Sequence, residues 1–166
     1  DIPPGAEGLL FIPYLSGAQA PDWSPLTRGS FTGLDLRHQR GHFTRAVLEG
    51  ITRSVYRISE TIESLQDRHF EEVYVTGGLT ASKVWLQIAA DMFNAVIAVP
   101  ETAEGSARGA AMLAMISLGM RSGLEDFQGL FVPSQRILPD ETASRVYQEQ
   151  HRRFLHILAQ IRGSIG

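Results

Sequence analysis

Val73-Tyr74-Val75-Thr76-Gly77-Gly78-Leu79-Thr80-Ala81-Ser82 decides the fold class. The run opens on β-branched and aromatic residues, the composition of a short buried strand. It breaks at paired glycines and resumes with Trp85, Ile88, Ala89 and Met92 spaced along one helical face. Strand, glycine turn and helix in sequence predict an α/β unit. Glycines at such a turn lack Cβ atoms, so the backbone there can touch a flat ligand or a phosphate. The following helix N-terminus offers free N–H groups to an anion, with Thr80 and Ser82 as hydroxyl donors or caps. The same residues also suit a plain tight turn. No G-x-x-x-x-G-K-[ST] and no G-x-G-x-x-G occurs, which argues against a P-loop enzyme or a dinucleotide domain of the usual form.

Outward from this stretch the pattern alternates. Upstream, Phe43, Val47, Ile51, Val55, Ile58, Ile62 and Leu65 recur at steps of three and four and predict a long amphipathic helix. Before it, Leu9–Ile12 and Gly29–Leu34 read as strands, separated by a Pro- and Gly-rich loop from Ser16 to Arg28. Downstream, Val96–Val99 reads as a strand stopped by Pro100. A helix then carries Ala107, Ala110, Ala111 and Ala114, a smooth face suited to close packing. Residues 124–140 read as irregular, and a last helix turns Val146, Phe154, Leu158 and Ile161 inward. The expected class is α/β with a mixed sheet, in one domain over residues 1–166.

Composition sets the outer bounds. With 43% apolar and 20% charged residues, the 166-residue chain suits one globular domain. A net charge of -3 disfavours a nucleic-acid surface, and no apolar stretch approaches a membrane span. With no cysteine, disulfides and thiolate chemistry are excluded, which is compatible with a reducing, cytoplasmic setting. His38 and His42 are too few for a closed zinc site and read as polar residues at a helix start. Asp22 reads as a turn cap, Asp91 as a structural carboxylate beside an arginine, and Trp23 and Trp85 as packing residues.

A second spacing carries a resemblance. Gly29-Ser-Phe-Thr-Gly-Leu34 is followed, after seven residues, by His42-Phe-Thr-Arg-Ala-Val-Leu-Glu49. Upstream stand Leu10-Phe-Ile-Pro-Tyr-Leu-Ser-Gly17, Ala20-Pro-Asp-Trp-Ser-Pro25 and Arg28-Gly29. Downstream stand Val75–Ser82, Trp85, Gln87, Ala90-Asp91, Val99-Pro-Glu101 and Gly109-Ala-Ala111. Together these resemble the C-terminal half of FGGY carbohydrate kinases across most of residues 8–120. Gln19 and Ala20 depart from the Glu and Arg usual there.

The resemblance implies a ribonuclease H-like, actin-like ATPase domain, the nucleotide-binding half of a two-domain sugar kinase. It assigns ATP to Gly77 and Gly78, with Leu79 lining the adenine pocket and Ser82 near the ribose or adenine. It places the catalytic base, the Mg2+ carboxylates and most sugar contacts in an N-terminal domain that 1–166 lacks, so that this chain alone is expected to be inactive. The favoured acceptor is gluconate, then xylulose. The partners so implied are ATP, the sugar or sugar acid and the N-terminal domain, with a homodimer as one way to cover an apolar face. A stand-alone nucleotide-binding or interaction module is the alternative.

Overall fold

The computed structural model describes residues 2–101, 104–130 and 132–164. A left-handed turn at Gly5 leads into a short 3-10 turn, Ala6–Gly8. Strands β1 (Leu10–Ile12) and β2 (Ser30–Thr32) then pair antiparallel, Phe11 opposite Phe31. Both are shorter than their apolar runs suggest. Helix α1 spans Arg40–Gln66. Its start is a reciprocal cap in which His42 Nδ1 accepts from the Gln39 N–H at 3.0 Å. Asp67, in the left-handed region, ends it.

The second half of the chain forms a three-stranded mixed sheet, in the order β3 (Glu72–Tyr74), β4 (Val96–Pro100), β5 (Pro133–Ile137). β3 and β4 run parallel and are joined by α2 (Lys83–Phe93). β5 returns antiparallel after α3 (Gly105–Ser117) and a 3-10 segment, Leu124–Leu130. α4 (Glu141–Ser164) closes the chain, and Asp140 caps its start by accepting from the Ala143 N–H at 2.8 Å.

Apolar packing centres on α2. Leu86, Ala89 and Ala90 meet Ile97 of β4, while Ile88, Met92 and Phe93 meet Ala143 and Tyr147 of α4. A separate cluster joins Ile12 and Tyr14 to Phe154 and Leu158. These contacts fit the apolar spacing of α2 and α4.

Several expectations are corrected. The apolar stripe of α1 is not its buried face: Val55 is 52% and Leu65 81% exposed, whereas Arg53 and Glu49 are 0% and 2% exposed. The alanine face of α3 is exposed, and Met112 is the buried residue of that helix. Residues 133–137, read as irregular, are β5. A proline at the start and no apolar alternation hide an edge strand of this kind. Trp23 is not a packing residue but 73% exposed, at a positive φ of 44°. Asp22 is buried, so it is not a simple turn cap. It accepts from Tyr14 Oη at 3.1 Å, Arg57 at 3.0 Å and Arg162 at 2.9 Å, tying its loop to α1 and α4. Asp91 is structural, but its hydrogen-bond donors are Gln87 and the Asp140 N–H rather than an arginine. Burial raises its pKa.

Candidate functional site

The glycines after β3 form an open corner. Gly77 has φ 81° and ψ -158°, a region that in practice only glycine occupies. Gly78 begins a 3-10 turn that runs to Ala81, so the chain does not pass straight into α2 as the sequence suggests. That turn closes on Gly77: its carbonyl accepts from the Thr80 N–H at 3.1 Å and from Thr80 Oγ1 at 2.7 Å. Ser82 caps α2, its Oγ accepting from the Trp85 N–H at 3.3 Å. The hydroxyl hydrogen remains to donate outward.

The site residues read from the sequence fall into two groups. Gly77 and Gly78 face open space: a Cβ built on either meets nothing within 4 Å. Leu79 turns inward instead, packing against the cluster of Leu86, Ala89, Ala90 and Ile97. Ser82 is half-buried at the foot of α2. The four are thus contiguous, but the glycines present backbone while Leu79 supplies the wall behind them.

Sequence reasoning missed the other side of the corner as a site. α3 begins hard against the segment that follows β3: a Cβ on Gly105 would fall 2.6 Å from Thr76 Oγ1. Gly109, one turn on, again has nothing within 4 Å of a built Cβ. Glycines four apart share a helical face, and that spacing was the available signal. Both walls stand at the carboxyl ends of the parallel strands β3 and β4, where open α/β sheets bind ligands.

Trp85 fixes the corner to α1. Its indole N–H donates to Thr52 Oγ1 at 2.8 Å, and that hydroxyl donates to the Leu48 carbonyl at 2.8 Å. The packing role read for Trp85 therefore includes a polar tie. His38 and His42 lie 5.3 Å apart, centroid to centroid, and both Nδ1 atoms accept backbone N–H groups. Among the described residues no three His, Asp or Glu side chains stand together as a metal site. No helix among the described residues is long and apolar enough to cross a membrane.

Comparison with known proteins agrees with the fold. The profile of the FGGY family of carbohydrate kinases, C-terminal domain, matches residues 2–118. A gluconokinase from Bacillus licheniformis is 34% identical over 156 residues, 94% of this chain and 30% of that protein. A xylulose kinase from Bacillus subtilis is 41% identical over 133 residues, 79% of this chain and 26% of that protein. In structure, gluconate kinase from Lactobacillus acidophilus superposes with a TM-score of 0.85 at 29% identity, over 99% of this chain and 33% of that one. The ribonuclease H-like, actin-like ATPase fold is the one these neighbours share. The chain spans about 30% of the length of the curated relatives it matches.

Proposed function

From the premise that the chain belongs to the FGGY family of carbohydrate kinases, matching its C-terminal domain, we propose that residues 1–166 are the ATP-side half of a cytoplasmic sugar kinase. The full polypeptide transfers the γ-phosphate of ATP to a hydroxyl of a sugar or sugar acid. Gluconate is the favoured acceptor, since a gluconokinase aligns over 94% of the chain, and xylulose is next.

One observation carries the reading: Gly77, Gly78 and Gly109 all face unfilled space at the carboxyl ends of two parallel strands. There the backbone is positioned to lie flat against an adenosine moiety. Gly77 bends the chain, Gly78 leaves room, Leu79 backs the adenine pocket and Ser82 offers a hydroxyl toward the ribose or adenine. Gly109 forms the facing wall.

The remainder of the chemistry belongs to a second, N-terminal domain: the base that takes the acceptor hydroxyl proton, the Mg2+ carboxylates and most sugar contacts. Phosphoryl transfer relies on positioning and charge stabilisation, and half a cleft supplies neither. The pure 166-residue chain with ATP and either gluconate or xylulose therefore gives no turnover above a blank, while ATP shifts the amide resonances of Gly77, Gly78 and Gly109. Turnover by the chain alone, or ATP-induced shifts confined to other regions, would refute the assignment.

A further inference from the structure

The glycine corner has little packing to hold its shape. A Cβ built on Gly77 or Gly78 meets nothing within 4 Å, so no neighbour braces either residue on that side. Glycine also has the widest backbone freedom of any residue, and here two follow one another. The rest of the turn is anchored. Leu79 packs with Leu86, Ala89, Ala90 and Ile97, and Ser82 Oγ accepts the Trp85 N–H. Among the described residues the Gly77 carbonyl is fastened by Thr80 alone. It accepts from the Thr80 N–H at 3.1 Å and from Thr80 Oγ1 at 2.7 Å. The hydroxyl bond sits at the favoured O–H···O length, while the amide bond lies toward the long end of its range. In a trans peptide the C=O and N–H point to opposite sides. Holding the carbonyl against Thr80 therefore turns the Gly78 N–H the other way, where no protein acceptor meets it among the described residues.

We propose that Thr80 is a positioning residue for the nucleotide: its hydroxyl holds the Gly77–Gly78 peptide in the orientation that receives ATP. This role rests on the ATP reading of the corner and goes a step beyond it, because Thr80 acts through the glycine backbone and not on the ligand. Its placement suits the task. Thr80 is the third residue of the 3-10 turn Gly78–Ala81, half-buried, with its hydroxyl bent back to Gly77. The neighbouring hydroxyls are occupied elsewhere. Ser82 caps α2, and Thr76 abuts Gly105 at the start of α3. Neither bonds the Gly77 carbonyl. Apparent affinity falls with the fraction of molecules whose site is in the competent conformation. A neutral hydrogen bond of this kind favours the held orientation by about fivefold. Where the orientations are evenly matched, losing that factor weakens ligand binding by about threefold. A Thr80 that merely closed the turn would change unfolding and leave ATP affinity alone.

Two kinds of substitution separate the hydroxyl from the shape around it. Thr80→Val keeps the branched side chain and removes the hydroxyl, and Thr80→Ala repeats the removal without crowding the turn. Thr80→Ser keeps the hydroxyl and removes a methyl group. ATP is titrated into the parent chain and each variant, followed by the amide resonances of Gly77, Gly78 and Gly109. The order parameter of the Gly78 N–H is measured without ligand. In Thr80→Val and Thr80→Ala that order parameter is expected to fall and the Kd for ATP to rise by about threefold. Thr80→Ser is expected to match the parent in both readouts. A parent chain whose resonances ATP does not shift refutes the ATP reading itself, and this role with it. A parent that binds, with Thr80→Val and Thr80→Ala binding equally well, overturns the role of Thr80 and leaves the ATP reading standing. So does a Gly78 amide as ordered in those two variants as in the parent, or a Thr80→Ser that binds as weakly as Thr80→Val.

Discussion

The two faces of α1 invert the usual rule. One face carries the charges and is buried; the other carries the isoleucines and valines and is open. On the buried face Glu49 Oε1 accepts from the Gly5 N–H at 2.9 Å, Arg45 Nε at 2.8 Å and Tyr147 Oη at 2.8 Å. Arg53 donates to the Tyr147 carbonyl at 3.3 Å and to Gln150 Oε1 at 3.2 Å, with its guanidinium 5.8 Å from the Phe154 ring centroid. Burial pushes Arg53 down to about 10, still protonated at neutral pH, with Glu49 opposing the shift. This seam fastens α4 to α1 by directional bonds. The other face holds Ile51, Val55, Ile58 and Ile62 along a trough that opens beside β3. Helical periodicity therefore reveals that a face exists, while only tertiary partners decide which face is covered.

The contrast can be broken most severely at Glu49. Glu49→Ala removes the carboxylate that faces both arginines and leaves Arg53 buried without a counter-charge, a loss of about 3–5 kcal/mol by urea denaturation. The paired replacement Glu49→Leu with Arg53→Met should cost less, because it leaves no buried Arg53 without a counter-charge, while the half-buried Arg45 loses its partner in both variants. If Glu49→Ala is neutral, the seam does not hold the fold.

The same seam titrates, with a smaller effect. Burial, then the Glu49 carboxylate, raises the Tyr147 pKa. Burial, then Asp22, pushes Tyr14 up to about 12, and burial, then Glu60, does the same for Tyr56. A raised folded pKa gives stability that is complete below the ordinary value of 10.0 and lost as pH climbs through about 12. The urea midpoint should therefore hold up to pH 10 and fall between there and pH 12. Ionised Tyr147 would still face Arg45 and Arg53, which is why this loss is smaller than that of Glu49. A midpoint flat across that window contradicts the buried-phenol account.

Gly77→Val comes next, at about 1–3 kcal/mol, because its backbone angles suit glycine alone. The least effect belongs to the open face. Val55→Asp should shift the stability of this chain by no more than about 0.5 kcal/mol, as for any exposed site. A large loss there would mean that the stripe is already covered.

Much of this architecture was legible in the sequence. α2 and α4 follow from local periodicity, because the residues that make each helix also bury it, whereas Val73–Val75 and the glycine turn follow from residue type, since β3 has no fully buried residue. The existence of α1 was equally plain. Its buried side was not, since that depends on Tyr147 and Gln150, roughly a hundred positions away. Asp22 was misread for the same reason: Arg162 lies far along the chain. β5 lacks an apolar signature, and the α3 alanines describe a smooth face without saying what meets it. For the candidate site, Gly77 and Gly78 announced themselves by adjacency. Gly109 did so only once α3 was seen to begin against Thr76.

The central claim is that the glycine corner holds ATP. Gly78 has no positive φ and no neighbour within 4 Å of a built Cβ, so Gly78→Val should fold as well as the parent chain. Calorimetric titration of ATP into both proteins isolates the ligand's need for that space. The account predicts weak saturable binding to the parent, with Kd of about 1 mM, and none detectable for a folded Gly78→Val. Equal affinity in the two, or no binding to the parent, would contradict it.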